Sequence, residues 1–213
     1  MNKGKLIVVE GIDGCGKTTQ IKMLVDYLNK EGLPTVERSN VSSGSLGKGI
    51  RDVLLRGDLK LSNTELACLF IVELKNVAKE IEALLNEGTN VVCSRWYYST
   101  LAYAGVSDVE YDLIDSLTKD ILVPDIVFYL NVSVETAMNR INFRNETKEI
   151  YENVDKLTSI KNRYAKVWNM RSYDTKLITI PSDDAMSIDA IHTLIRNFIK
   201  FLNTYKEYNT WLL

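Results

Sequence analysis

Residues 5 to 20, KLIVVEGIDGCGKTTQ, constrain this chain more than any other stretch. The apolar run Leu6 to Val9 reads as a buried strand. It leads into Gly11-Ile-Asp-Gly-Cys-Gly-Lys-Thr18, and helical spacing follows at Ile21, Leu24, Val25 and Leu28. Strand, glycine-rich turn and helix in that order make a phosphate-binding loop. The glycines at 11, 14 and 16 permit backbone conformations in which successive N–H groups point inward at an anion. Lys17 adds a point charge for the β- and γ-phosphates, Thr18 offers a hydroxyl to Mg²⁺, and the helix start contributes its dipole. The expected nucleotide-binding set is Gly11, Gly14, Cys15, Gly16, Lys17, Thr18 and Thr19, with Thr18 as the metal ligand; Cys15 reads as a small residue filling a loop position.

The rest of the chain alternates between strand and helix signals. Helices are expected over 17–31, from Gly47 to Gly57, over 63–86, 107–121, 134–143, 152–170 and 187–206. Strands are expected at 35–38, 90–94, 124–130 and 176–180. Gly32 and Gly88 mark helix ends. This alternation predicts one α/β domain over 1–213: a P-loop NTPase fold with a parallel sheet of about five strands, helices on both faces, and ligands at the carboxyl ends of the strands. The charged segment from Arg144 to Ile150 predicts a small lid, bounded at about 141–151.

Composition removes several classes of function. With 26 Lys+Arg against 28 Asp+Glu there is no basic field, so nucleic acid is not an expected partner. No apolar run is long enough for a membrane span and no signal peptide is evident. Cys15, Cys68 and Cys93 are widely separated, as in a protein with reduced thiols, and a cytoplasmic location is expected. The one histidine, His192, excludes a His-based metal site or triad.

Polar groups recur where strands end: Glu37-Arg38, Ser94-Arg95, and Arg140 and Arg144 around the lid. Arginines beside a phosphate loop suit a second phosphate, so the expected acceptor is itself a phosphate ester. Asp13 could accept from a sugar hydroxyl, help hold Mg²⁺, or serve only as an acidic turn residue.

Over nearly its full length the chain resembles thymidylate kinases. The resemblance is carried by VEGIDGCGKTTQ (9–20), Glu37-Arg-Ser39 with Gly47-Lys48, Leu69-Phe70, SRWYYSTLAYAG (94–105), and PDIVFYL (124–130) followed by Arg140. It implies a homodimer that transfers the ATP γ-phosphoryl to a deoxynucleoside monophosphate, usually dTMP, with Mg²⁺. By position it implies that Arg38 and Arg95 grip the acceptor phosphate, Asp13 contacts the sugar 3′-hydroxyl, and Phe70 stacks on the base. It places Tyr103 against the sugar and has Ser99 help hold the base. Gly14 stands where some relatives carry Arg, which implies that the catalytic arginine comes from the lid, Arg144 or else Arg140, acting with Lys17 and Asp13. Three positions depart from the family pattern: Ser94 for the Asp that helps organise Mg²⁺, Leu74 for the Arg that bonds the thymine carbonyl, and Ala104 for Gln. Relaxed base discrimination is the expected consequence. The alternatives are a kinase for dUMP or a modified pyrimidine monophosphate, and a slowly hydrolysing nucleotide switch, which has no need of the cluster from Arg95 to Tyr103.

Overall fold

The computed structural model describes residues 3–41, 45–56, 61–104, 108–144, 149, 151–171 and 175–208. Its elements in order are β1 (Leu6–Glu10), α1 (Lys17–Lys30), β2 (Thr35–Ser39), α2 (Ser45–Arg56), α3 (Asn63–Asn86), β3 (Asn90–Ser94), α4 (Tyr97–Ala104), α5 (Asp108–Thr118), β4 (Ile126–Asn131), α6 (Val134–Phe143), α7 (Val154–Arg171), β5 (Lys176–Pro181) and α8 (Ile188–Tyr208). The five strands form one parallel sheet in the order β2-β3-β1-β4-β5, as expected from the alternating pattern. All five residues of β1 are buried, so helices cover both faces of the sheet at its centre. The register pairs Val9 with Ser94 on one side and with Phe128 on the other. The chain therefore leaves β1 at the centre of the sheet, where the strand order reverses and α/β sheets bind ligands.

Local chemistry sets the boundaries. Ser62 and Glu65 form a complete capping box at the start of α3: the Ser62 side chain accepts from the Glu65 N–H, and the Glu65 carboxylate accepts from the Ser62 N–H at 2.7 Å. In α6 the Ser133 hydroxyl accepts from the Thr136 N–H. Asp125 ties the foot of β4 to β1 by accepting from the Leu6 N–H at 2.9 Å and from Lys5 Nζ at 2.7 Å.

α4 is the element that periodicity does not reveal. Tyr97 to Ala102 and Ala104 are all buried, leaving no polar face whose spacing could mark a helix. Tyr and Thr are also modest helix formers. Packing between α3, α5 and α7 makes this segment helical. Of the expected lid, Ile141–Phe143 finish α6 and Arg144, Glu149 and Tyr151 are placed; residues 145–148 and 150 lie outside the described residues.

Candidate active site

The loop between β1 and α1 is shaped by close approach. At Gly14, φ is 79°, and a Cβ there would lie 2.4 Å from the backbone oxygen of Ala137. No L side chain fits that gap without moving α6. Gly16, in a left-handed conformation with φ of 97°, opens α1 as its N-cap, and nothing lies within 4 Å of where its Cβ would be. Lys17 lies back across the loop: Nζ donates to the carbonyls of Gly11 at 3.0 Å and Ile12 at 2.9 Å and touches Cys15 Sγ at 3.6 Å. Thr18 and Thr19 are exposed at the start of α1.

Arg95 stands beside this loop because β3 is hydrogen-bonded to β1. Its N–H donates to Val9 O at 3.1 Å, and its φ of 64° is the only positive value at a non-glycine among the described residues. That left-handed turn at the strand end sends the guanidinium towards the loop. Nη2 donates to Asp13 Oδ1 at 2.5 Å and to the Tyr103 hydroxyl at 2.7 Å, and that hydroxyl donates to Asp13 Oδ2 at 2.9 Å. Nη1 donates to Gly11 O at 3.1 Å and to the Tyr164 hydroxyl at 3.3 Å. The guanidinium also lies over the Tyr103 ring, 4.7 Å from its centre. Burial by itself would raise the Asp13 pKa. The charges of Arg95 and Lys17 and the hydrogen bonds from Tyr103 and Arg95 outweigh it and bring the carboxyl down to about 2. On Glu10 the balance falls the other way: burial prevails and pushes the carboxyl up against the pull of Arg95.

The structure therefore brings together Gly11, Asp13, Lys17, Arg95 and Tyr103 from two separate motifs. Arg140 reaches the same loop: Nη1 lies 3.5 Å from Gly14 O, while Nε and Nη2 hold Asp184 Oδ1 at 3.2 and 2.7 Å. Arg144 is paired instead with the Glu152 carboxylate. Arg38, on β2, donates to Glu37 O, and Phe70, on α3, is half-buried. One turn beyond Phe70, Leu74 has no exposure at all and belongs to the core. Ser99 has its hydroxyl committed to Trp96 O at 2.7 Å, whereas the neighbouring Thr100 hydroxyl is buried without a partner among the described residues. Among those residues no group of three or more His, Cys, Asp or Glu is placed to hold a metal ion. No described helix is long and apolar enough to cross a membrane.

Three participants escaped the sequence reading. Glu10 and Tyr164 are buried polar groups joined by a 2.8 Å hydrogen bond, and Thr100 is the buried hydroxyl just described. Glu10 carried a signal, since a carboxylate between an apolar strand and a phosphate loop needs a partner. Tyr164 carried none, because a tyrosine at a helical core position is ordinary.

The family model described as "Thymidylate kinase" matches residues 9–195. A probable thymidylate kinase from Methanococcus aeolicus is 38% identical over 190 residues, covering 88% of this chain and 92% of its own. A thymidylate kinase from Brachyspira hyodysenteriae is 38% identical over 165 residues, covering 74% and 80%. The solved thymidylate kinase from Candida albicans superposes with a TM-score of 0.77 at 22% identity, covering 94% of this chain and 93% of that one, which supports the fold. A phosphate loop facing an arginine at the neighbouring strand end, in a chain matched from Val9 to Ile195 and across most of its relatives' length, places this protein in the thymidylate kinase family of ATP-dependent nucleoside monophosphate kinases.

Proposed function

We propose that this chain transfers the γ-phosphoryl of ATP to dTMP to give dTDP. The observation that carries the reading is the placement of Arg95 against Asp13: a half-buried guanidinium beside the phosphate loop, held by groups that an acceptor can replace. When the acceptor enters, Nη2 would exchange Asp13 and Tyr103 for phosphate oxygens, with Arg38 as the second donor. Asp13 is then left to accept from the sugar 3′-hydroxyl, Tyr103 lies against the sugar, and Phe70 stacks on the base, with Ser99 shaping the base pocket through α4. On the donor side the cradle is formed by Gly11, Gly14, Cys15, Gly16 and Thr19 with Lys17. Lys17 would leave its loop carbonyls for phosphate oxygens. Catalysis is then mostly positioning and charge neutralisation.

Arg140, which already touches the loop, and Arg144, at the root of the lid, are the arginines available to meet charge as it develops. Thr18, exposed at the loop mouth, is the protein ligand suited to Mg²⁺, an ion that keeps waters and phosphate oxygens for most of its shell. The ion would neutralise phosphate charge. Asp13, turned to the sugar 3′-hydroxyl once the acceptor is bound, and Ser94, which has no carboxylate, add little to that shell. A cytoplasmic homodimer completes the proposal.

An ADP-release assay with dTMP, dUMP, dCMP and no acceptor tests it. The expected result is release that depends on a monophosphate, with dTMP among the good acceptors. Equal release without acceptor would favour a hydrolysing switch. The complete burial of Leu74, which has no donor for the base, favours a second reading in which dUMP or a modified pyrimidine monophosphate is also accepted.

A further inference from the structure

We infer that Glu10 and Tyr164 are positioning residues that hold the Arg95 guanidinium from behind while its other edge exchanges protein for substrate. This inference rests on the proposed role of Arg95 as the acceptor arginine. The guanidinium lies between two tyrosine–carboxylate pairs. In front, Nη2 meets Tyr103 and Asp13. Behind, Nη1 meets Tyr164, whose hydroxyl donates to Glu10 Oε2 at 2.8 Å. Glu10 Oε1 accepts the Trp96 N–H at 2.7 Å, so the same carboxylate also pins the backbone just after the left-handed Arg95. The two pairs differ in access. Asp13 and Arg95 are each about a fifth exposed, whereas Glu10 and Tyr164 are fully buried. A phosphate can compete for the front edge and cannot reach the rear one.

The rear pair also joins two parts of the site. Tyr164 lies on α7, the helix that follows Tyr151 and Glu152 at the lid root, and its ring packs against Tyr129 at 5.2 Å and Trp168 at 5.6 Å. Those ring contacts account for a buried aromatic side chain. They do not account for its hydroxyl, which is spent on Glu10 and Arg95. Without that hydroxyl, Nη1 keeps only Gly11 O, and the guanidinium is drawn towards the freed Glu10 oxygen, away from the entering phosphate.

Tyr164→Phe separates these roles because it keeps the ring. Calorimetric titration of the wild type and of Tyr164→Phe with dTMP, and separately with an unhydrolysable ATP analogue, is the test; Glu10→Gln, which keeps one oxygen for the Trp96 N–H, is the second variant. The expected result is a weakening of dTMP binding by about tenfold, the effect of one hydrogen bond to a charged group, with ATP-analogue binding changed less than twofold. The KM for dTMP should rise in step while turnover at saturation holds. Equal losses for both ligands would mark a merely structural role, and unchanged dTMP binding in a folded variant would overturn the inference while leaving the proposed reaction standing. A wild type that binds no dTMP would remove both. If Tyr164→Phe does not fold, Glu10→Gln decides by the same criterion.

Discussion

Lys17 is held by two loop carbonyls, at 3.0 and 2.9 Å, which in the proposed reaction release it to the nucleotide. Its removal leaves the core intact, so Lys17→Ala should keep its circular dichroism and lose several orders of magnitude in turnover; near-normal activity would refute the assignment. Arg95→Ala should raise KM for the monophosphate by roughly 10- to 100-fold, the worth of a charge-assisted contact, and leave KM for ATP nearly unchanged. Equal effects on the two substrates would mean Arg95 faces the wrong ligand. Reading the base is a separate matter. Leu74 lies wholly in the core and offers no donor to a base carbonyl, so discrimination between dTMP and dCMP, whose bases differ at the 4-carbonyl, is expected to stay below about 100-fold, less than a site with a dedicated charged donor achieves. Catalytic efficiencies for the two acceptors measure this directly. Above a thousandfold, another group must read the base, and the buried Thr100 hydroxyl is the first to probe, by Thr100→Val. The residues that the proposed function turns towards substrate were legible in the sequence because each sits in a dense motif with unusual chemistry. Those behind them were not. Tyr164 is indistinguishable from a core tyrosine until the fold brings it to Glu10, 154 positions away.

Elements were legible in proportion to how one-sided they are. α3 was expected over 63–86 and ends at Asn86, because its apolar face, its capping Ser62 and the Gly88 stop all agree. α4 was not, because burial on every side erases the periodicity that marks a helix. The capping box makes a stability prediction that belongs to this scale. Ser62→Ala removes the acceptor for the Glu65 N–H and one partner of its carboxylate, and should cost about 1 kcal/mol. For a domain of this size that lowers the melting temperature by roughly 2–4 °C, with kinetics unchanged, since the box lies outside the proposed site; a drop in dTMP turnover at an unshifted melting temperature would contradict it. Gly14→Ala makes the opposite contrast. Its Cβ would press on the Ala137 carbonyl, so loop and α6 must part and both activity and stability should fall.

Across the whole molecule, pH couples site to fold. Asp13 has an ordinary value of 3.8 and a folded value of about 2, set chiefly by Arg95 and Lys17 against the cost of burial. A depressed folded pKa means its contribution is complete above the ordinary value and disappears as pH falls through the folded one. The difference corresponds to about 2 kcal/mol. Glu10 opposes it: burial raises its folded pKa, so its ionisation draws stability away as pH climbs past the ordinary value of 4.5. The two carboxylates flank one guanidinium and titrate in opposite senses, which isolates the Asp13 contribution on the acid side. Asp13→Asn removes the titrating group while keeping the shape. It should be less stable than the wild type at pH 7 by about 2 kcal/mol, because Arg95 loses its ion pair. The gap should close towards pH 2, where the wild-type carboxyl is itself protonated. Urea unfolding of both proteins at pH 7, 4 and 2.5 measures it. Parallel stability profiles would show that Asp13 is not held by Arg95 in solution, and the pairing on which acceptor entry depends would have to be placed elsewhere.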